Sequence, residues 1–258
     1  MRLAKWLIFL LIYCYTNAAL SSENDPKIQV FASIFPPFSY LDQGEVRGVS
    51  VDLVRQVLTA AEMDYDVVIF PWARAYERSQ ITPNALLINV ARTPEREALF
   101  KWVGEIVKFD VKILALKGTN NPKPNTLSDL SNGKIGGLRQ DVKTAYLQQQ
   151  GLTVQVINSE ESGIRQLLAG RIDYLAADIN SFQYRLTKLQ LDPNDFEAVI
   201  DLKEISKPLY IAFQKNTPDA VVERLRVALN KVVPQSASNI DQQNIAAPTT
   251  STQRAITD

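Results

Sequence analysis

Two arginines lie four residues apart in the stretch LINVARTPEREALFKWVG, residues 87–104, and either of them could hold an anion. The stretch starts as an apolar strand and turns charged after a proline, so Arg92 and Arg96 follow the C-terminal end of a strand. A planar guanidinium matches the two oxygens of a carboxylate, and such a pair contributes about 1.5–3 kcal/mol. The residues alone also allow a surface turn in which Arg96 pairs with Glu95 or Glu97.

Two absences limit the chemistry that the chain can perform. The 258 residues include no His, which excludes Ser-His-Asp and Cys-His catalysis and every imidazole metal site. The single Cys is Cys14, so a chain cut after this point has no thiol. Lys+Arg and Asp+Glu both number 28, and this balance gives no electrostatic reason for nucleic-acid binding. We therefore expect no cofactor, no metal site and no nucleic-acid partner.

The N-terminus has the pattern of a secretory signal peptide. A short basic head is followed by the apolar run 6–15, which is too short to span a bilayer, and then by small residues before a cut after Ala18. We expect residues 1–18 to be removed and the mature chain to be soluble, monomeric and periplasmic. A lipoprotein with an acylated Cys14 is the alternative, but the bulky Ile12 and Tyr13 precede that cysteine where small residues are needed.

The elements that must position the arginines follow an α/β order. Apolar runs with high β-propensity alternate with segments of helical spacing, which predicts parallel sheets covered by helices. Ser50 is the expected N-cap of the first helix, and Gly170 is expected to end a later helix in a left-handed conformation. Two such α/β series, joined by extended segments near 108–116 and 202–212, predict two lobes with a cleft between them.

Four motifs, in this order and behind a signal peptide, resemble the bacterial extracellular solute-binding proteins of family 3. They are PPFSYLDQGEVRGVSVDLV, FPWARA, ARTPEREALFKWVG and SGIRQLLAGRIDYLAAD, and the resemblance covers about residues 27–232. It is closest to a short branch that carries PWxRA and RTPER. The resemblance implies an α/β, two-lobed periplasmic-binding-protein fold (type II) with two crossover strands as the hinge. It implies a discontinuous lobe 1 at 24–110 plus 204–235 and a lobe 2 at 111–203, followed by a polar tail, 236–258, that we expect to be disordered.

The resemblance also assigns candidate ligand-binding residues. Arg96 matches the arginine that pairs with a ligand carboxylate, and Asp178 matches an aspartate that accepts from a ligand ammonium group. The residues leave a second role open for Asp178, because an Asp in this position also caps the helix that follows. Phe35 matches an aromatic that packs over the ligand, and Trp72 and Arg74 point toward the cleft in this branch. Arg92 has no such role.

Two further positions bear on the type of ligand. Asn89 and Ala91 fall where the family often has Ser or Thr, and the Asn89 side chain could bind a ligand by hydrogen bonding. At the start of a lobe 2 helix the family has Gly followed by Ser or Thr, whereas this chain has Gln140 and Asp141. The charge of Asp141 would oppose a ligand carboxylate, so we expect weak binding of simple amino acids and leave a dipeptide, an amine, an opine-like compound or a neutral metabolite open.

The sequence thus favours an exported binding protein that captures a small polar or amino-acid-like ligand and delivers it to an inner-membrane permease of an ABC transporter. Two alternatives share the fold. A dehydratase acting on a prephenate-like substrate would need an acid such as Glu160, Glu161 or Asp178, although these form no paired constellation, and we assign no catalytic residue. A sensory or accessory protein would bind a ligand and signal without transport.

Overall fold

The computed structural model describes residues 26–119 and 123–240, with side chains up to residue 233. The predicted signal peptide and residues 241–258 of the predicted disordered tail lie outside these residues. No helix in the described ranges is long and apolar enough to cross a membrane.

The first of the two large sheets forms lobe 1 and contains five strands in the order β4-β1-β5-β12-β6. The central strands β1 and β5 are mostly apolar and mostly buried, as expected for strands covered by helices. Strands β4 and β5 pair in parallel with β1, and β12 pairs antiparallel with both β5 and β6. The strands are β1 (Ile28–Ser33), β4 (Tyr65–Phe70), β5 (Ala85–Ala91), β6 (Phe100–Val107) and β12 (Leu209–Gln214).

Three helices cover the lobe 1 sheet: α1 (Val49–Ala60), α2 (Trp72–Ile81) and α6 (Asp219–Ile240). Helix α1 buries the apolar positions that its sequence spacing predicted, including Val54, Val57 and Leu58. A small hairpin, β2 (Tyr40–Asp42) with β3 (Glu45–Arg47), precedes it.

The second large sheet forms lobe 2, with its strands in the order β11-β7-β10-β8-β9. Strands β8, β9 and β10 are parallel, whereas β7 runs antiparallel to both β10 and β11. The strands are β7 (Val111–Leu116), β8 (Ile135–Leu138), β9 (Val154–Ile157), β10 (Tyr174–Asp178) and β11 (Phe196–Asp201). The helices are α3 (Val142–Gln149), α4 (Glu160–Leu168) and α5 (Ile179–Lys188), and Gly170 after α4 has the predicted left-handed conformation, with φ of 62°.

The chain passes between the two sheets twice. One connection joins β6 to β7 through residues 108–110, and the other joins β11 to β12 through residues 202–208. Both fall inside the segments in which the sequence placed the crossovers. Two adjacent chain crossings allow one lobe to rotate against the other while each sheet stays intact.

Several sequence expectations are wrong in detail. Each large sheet is mixed rather than parallel, because the strand that returns from the other lobe enters it in the antiparallel direction. Strand β6 and the β2–β3 hairpin were not anticipated. Helix α1 begins at Val49 with Gly48 at the N-cap, and Ser50 is buried without a capping hydrogen bond. Helix α6 continues through Pro234 to Ile240, which places residues 236–240 of the predicted disordered tail in a helix.

Candidate functional site

A cavity of about 40 Å³ lies between the two lobes. Lobe 1 contributes the end of β1, the end of β5, the start of α2 and the turn that follows β5. Lobe 2 contributes the end of β8 and the start of both α3 and α4. Five of the seven predicted site residues line this cavity: Phe35, Trp72, Asn89, Arg96 and Asp141.

Arg96 lies in a 3-10 turn, Pro94–Leu99, directly after β5 and is only 6% exposed. Its Nη1 donates to the carbonyl oxygen of Ala91 at 3.1 Å, and its Nη2 donates to that of Gln140 in lobe 2 at 2.8 Å. The guanidinium carbon lies 5.3 Å from the ring centroid of Trp72 and 5.0 Å from that of Tyr76. Within the described part of the chain it uses two of its five N–H groups, which leaves three to bind an anion.

Arg92 pairs with Glu97 at the surface, an arrangement that the sequence had left open for Arg96. Its Nε and Nη2 donate to the two carboxylate oxygens of Glu97 at 2.9 and 2.5 Å, and its side chain is 42% exposed. The hydrogen bond to Glu97 raises the pKa of Arg92 above its ordinary value. Arg92 also stacks over Trp102 and Tyr210, away from the cavity lining. The two arginines therefore have different environments, and Arg96 is the one that faces the cleft.

Asn89 presents a hydrogen-bond acceptor without a protein partner. Its Nδ2 donates to Ser39 Oγ at 3.1 Å, and Ser39 Oγ in turn donates to the carbonyl oxygen of Ser33 at 2.6 Å. These two hydrogen bonds fix the orientation of the Asn89 amide. The Ser39 hydroxyl donates its single proton to Ser33, so it can only accept from Asn89, and the group that faces it must be the amide nitrogen. Asn89 is 5% exposed, and its Oδ1 is buried without a hydrogen bond to any described residue. Such an orphaned acceptor costs free energy unless a donor reaches it, so Asn89 could accept from a ligand N–H.

Phe35 belongs both to the cavity lining and to the apolar core. It lines the cavity, and its ring stacks on Phe38 at 4.9 Å and meets Phe109 edge to face at 6.1 Å. These three rings belong to the apolar core near the crossover segments. Phe35 therefore gives the cavity an apolar wall that the core holds in place.

Asp178 and Arg74 do not reach the cavity. Asp178 is fully buried and caps α5, accepting from the backbone nitrogen of Ser181 at 2.9 Å and from that of Asp110 at 3.0 Å. Burial raises the pKa of the Asp178 carboxyl to about 6, although the two backbone donors act in the opposite direction. Arg74 is exposed on α2 and lies over the ring of Phe70 at 4.8 Å. The structure thus supports the helix-cap alternative for Asp178.

Sequence reasoning missed a chain of four charged side chains in the lobe 2 wall. Lys143 Nζ lies 3.0 Å from Asp141 Oδ2 and 3.2 Å from Glu160 Oε1, and Glu160 Oε2 lies 3.3 Å from Arg185 Nη2. All four residues are at most 9% exposed. Burial would lower the pKa of Lys143, but the two carboxylates outweigh it and raise that pKa. Burial likewise opposes ionisation of Glu160, yet Lys143 and Arg185 hold its pKa below the ordinary value.

The expected charge of Asp141 is therefore compensated inside the protein. Its Oδ1 caps α3 by accepting from the Lys143 backbone nitrogen at 2.8 Å, as an Asp at the start of a helix commonly does. Its Oδ2 pairs with the Lys143 ammonium, which the sequence did not predict. The sequence DVK at residues 141–143 could have predicted this pair, because a lysine side chain two positions after an N-cap aspartate can reach back to its carboxylate. The argument that Asp141 repels a ligand carboxylate fails for this geometry.

Gln140 joins the lobes across the cavity. Its carbonyl oxygen accepts from both Arg96 and Trp72, whose Nε1 lies 3.0 Å away. Its side-chain Nε2 donates to Glu77 Oε1 at 3.1 Å. The backbone of Gln140 has φ of 58°, a conformation in which the family's Gly would be unstrained. A ligand carboxylate that binds Arg96 would compete with this carbonyl.

The titratable side chains do not form a metal centre. In residues 26–119 and 123–240, no group of three His, Cys, Asp or Glu side chains is placed to hold a metal ion. The acids of the lobe 2 wall are instead paired with Lys143 and Arg185.

A comparison with known protein families finds a match for part of the chain. Residues 28–125 match the sequence profile of the bacterial extracellular solute-binding proteins, family 3. The chain resembles this family, as its motifs indicated. A search of curated protein sequences finds no match.

Solved structures share the fold over most of the chain. A histidine kinase sensor domain similar to periplasmic binding proteins has a TM-score of 0.73 at 18% identity, covering 84% of this chain and 94% of the other. A Salmonella typhimurium periplasmic binding protein with high arginine specificity scores 0.71 at 18% identity, covering 84% and 99%. The arginine-, lysine-, histidine-binding protein ArtJ from Geobacillus stearothermophilus scores 0.73 at 21% identity, covering 87% and 97%. The fold is therefore the two-lobed, α/β periplasmic-binding-protein fold (type II).

Proposed function

We propose that this chain is an exported solute-binding protein that captures a small, polar, amino-acid-like ligand between its lobes. The observation that carries the proposal is the buried guanidinium of Arg96, which lines the interlobe cavity and has three N–H groups without an acceptor among the described residues. The orphaned Oδ1 of Asn89 lies in the wall of the same cavity. An anion site beside an unpartnered acceptor suits a ligand that carries both a carboxylate and an N–H donor.

The proposed mode of capture is hinge closure. A volume of about 40 Å³ is far below the 300–1,000 Å³ of ordinary ligand sites, so an amino acid needs the lobes to move apart. The contacts that must yield include the hydrogen bonds from Arg96 and Trp72 to the Gln140 carbonyl. A ligand carboxylate would replace this carbonyl as the acceptor for Arg96, and closure would then recover contacts between the lobes.

Binding without turnover is the activity that the geometry supports best. The three acids that a dehydratase could use are engaged elsewhere or lie outside the cavity lining. Glu160 is held by Lys143 and Arg185, Asp178 caps a helix, and Glu161 is exposed beside Arg165. We further infer that the chain acts as a periplasmic monomer and passes its ligand to an inner-membrane permease of an ABC transporter.

A thermal-shift screen tests the proposal. The mature chain, residues 19–258, is melted in the presence of amino acids, dipeptides, amines and organic acids. A ligand at 100 times its Kd should stabilise the protein by about 2.7 kcal/mol, which corresponds to a rise of about 5–10 °C in Tm. A screen in which no compound of these classes raises the Tm would contradict the proposed function.

A further inference from the structure

The ammonium group of Lys143 occupies a position that has the features of a ligand site. It is 3% exposed and lies between two carboxylates, with Asp141 Oδ2 at 3.0 Å and Glu160 Oε1 at 3.2 Å. The ring centroid of Phe109 is 5.4 Å away. Two carboxylates and an aromatic face are groups that proteins use to bind a free alkylammonium ion.

The carboxylates around this ammonium are held by groups other than the lysine side chain. Asp141 caps α3 through the backbone nitrogen of residue 143, a hydrogen bond that does not depend on the residue type. The second oxygen of Glu160 accepts from Ser181 Oγ at 3.3 Å and from Arg185 Nε at 3.3 Å. Arg185 also donates to the carbonyl oxygen of Ile34 in lobe 1 at 3.3 Å. The site is therefore built to remain in place if the Lys143 side chain is shortened.

This site opens on the interlobe cavity. Lys143, Asp141, Glu160 and Phe109 line the same cavity as Arg96. The cavity wall also carries the Oδ1 of Asn89, a residue that is 5% exposed, and this acceptor has no hydrogen-bond partner in the described part of the chain. Groups that bind a ligand at Arg96 and Asn89 would thus place the rest of that ligand next to Lys143.

We propose that Lys143 fills an ammonium-binding site with its own side chain and thereby excludes cationic ligands from the cavity. The inference rests on the proposed function and specifies its ligand class as molecules without a second positive charge. A basic amino acid would bring a cation toward the Lys143 ammonium, while the two nearest carboxylates are already paired with that lysine. A neutral polar side chain meets no such opposition.

Chemical rescue tests the site itself. Lys143→Ala removes three methylene groups and the ammonium, which n-propylammonium chloride can replace. We expect the variant to melt roughly 6–20 °C below wild type, because removal of one partner leaves buried carboxylates uncompensated. We expect n-propylammonium at ten times its Kd to restore about 3–6 °C in the variant and to leave wild type unchanged.

Controls separate charge from volume. Propan-1-ol has the size of the probe without its charge, and sodium chloride matches its ionic strength. Lys143→Met keeps the space filled, so n-propylammonium should not raise its Tm. Equal rescue by propan-1-ol, or no rescue by n-propylammonium, would overturn the proposal.

A refolding measurement covers a variant that does not fold by itself. Lys143→Ala is then diluted from urea with n-propylammonium, with propan-1-ol or with neither, and the folded fraction is read by near-UV circular dichroism. A higher folded fraction with n-propylammonium alone supports the site, and equal fractions in all three samples overturn it.

A selectivity measurement tests the consequence for ligands. Wild type and Lys143→Ala are titrated with arginine and with citrulline, its neutral isostere. We expect wild type to prefer citrulline and the variant to bind arginine at least tenfold more tightly than wild type does. If wild type binds arginine as tightly as citrulline, the inference is wrong and the proposed function stands. If wild type binds no compound of the thermal-shift screen, the proposed function fails, and the rescue experiment still decides whether Lys143 fills an ammonium site.

Discussion

A single buried carboxylate, that of Asp178, holds two segments of lobe 2 together. One oxygen accepts from Ser181 at the start of α5, and the other accepts from Asp110 in the crossover to β7. Burial nevertheless raises its pKa to about 6, well above the ordinary value of 3.8. The two hydrogen bonds that Asp178 accepts therefore stabilise the local structure, whereas ionisation of the buried carboxyl lowers the stability of the folded state.

The raised pKa of Asp178 should make the free energy of unfolding depend on pH. Between about pH 4 and pH 6 the folded state binds more protons at Asp178 than the unfolded state, so the contribution of this group falls as pH rises. The full difference corresponds to roughly 3 kcal/mol. We expect the difference in free energy of unfolding between wild type and Asp178→Asn, measured in urea, to fall by about this amount from pH 4 to pH 7. Asp195→Asn, at an exposed site, is the control, and parallel pH profiles for wild type and Asp178→Asn would refute the assignment.

At the scale of elements, Gly48 determines how α1 begins. Its φ of 125° lies in the region that favours glycine, and a Cβ built there would lie 2.4 Å from the carbonyl oxygen of Phe38. The Ser50 backbone nitrogen donates to that same carbonyl at 3.0 Å. The loop that carries Phe35 into the cavity is thus fixed to the start of the helix at this point.

Gly48→Ala should be strongly destabilising. The added methyl combines an unfavourable φ with a clash against backbone, and we expect a loss of about 2–4 kcal/mol in the free energy of unfolding. Gly44→Ala is the matched control, because Gly44 also has a positive φ, 86°, but its Cβ would meet nothing within 4 Å. Urea unfolding of both variants decides the matter: losses of equal size would show that backbone strain alone, without the clash, explains the effect.

Particular elements show why the sequence predicted some features and missed others. The spacing of Val54, Val57 and Leu58 identified α1, because local periodicity reports the buried face of a helix. The direction of β12 was not predictable, since a strand that returns from the other lobe enters the sheet from a distant connection. Ser50 has the residue type of an N-cap, yet tertiary packing buries it and places Gly48 at that position.

In the candidate site, too, the sequence predicted residues that local motifs mark and missed contacts that form between distant segments. Arg96 and Trp72 follow the ends of strands, Asn89 lies near the end of β5, and all three were found from motif and position. The pair of Lys143 with Glu160 joins the starts of α3 and α4, which are close only after the lobe 2 sheet has formed. Asp178 was placed at the ligand by resemblance, but its carboxylate binds the backbone nitrogens of Ser181 and Asp110 and does not line the cavity.

At the scale of the whole molecule, polar contacts and a shared apolar cluster connect the lobes in addition to the two crossings. Gln140 accepts from Arg96 and Trp72, and Arg185 donates to Ile34. The Tyr40 and Tyr184 rings also meet across this boundary at 5.7 Å. Gln140 Nε2 also donates to Glu77, and Gln149 donates to Glu95. A ligand that contacts both lobes can change the balance between open and closed arrangements.

The equilibrium between open and closed arrangements can be measured as a distance between two labels, one on each lobe. The sequence has only Cys14, within the predicted signal peptide, so a mature chain with Ile81→Cys and Gln148→Cys carries two labelling sites, one on α2 and one on α3. We expect a ligand from the thermal-shift screen to narrow the spin-label distance distribution of this variant. The same pair with Arg96→Ala should not respond at that ligand concentration. A ligand that binds without changing the distribution would contradict hinge closure.

Calorimetry of Arg96 variants tests the central claim most directly. Wild type, Arg96→Ala and Arg92→Ala are titrated with a carboxylate-containing ligand identified by the screen, after circular dichroism confirms that each is folded. Because Arg96 faces the cavity and Arg92 is paired with Glu97 at the surface, we expect Arg96→Ala to weaken binding about 10- to 150-fold and Arg92→Ala to leave it unchanged. Equal affinity for wild type and Arg96→Ala, or an equal loss in both variants, would contradict the assignment of Arg96 as the residue that binds the ligand between the lobes.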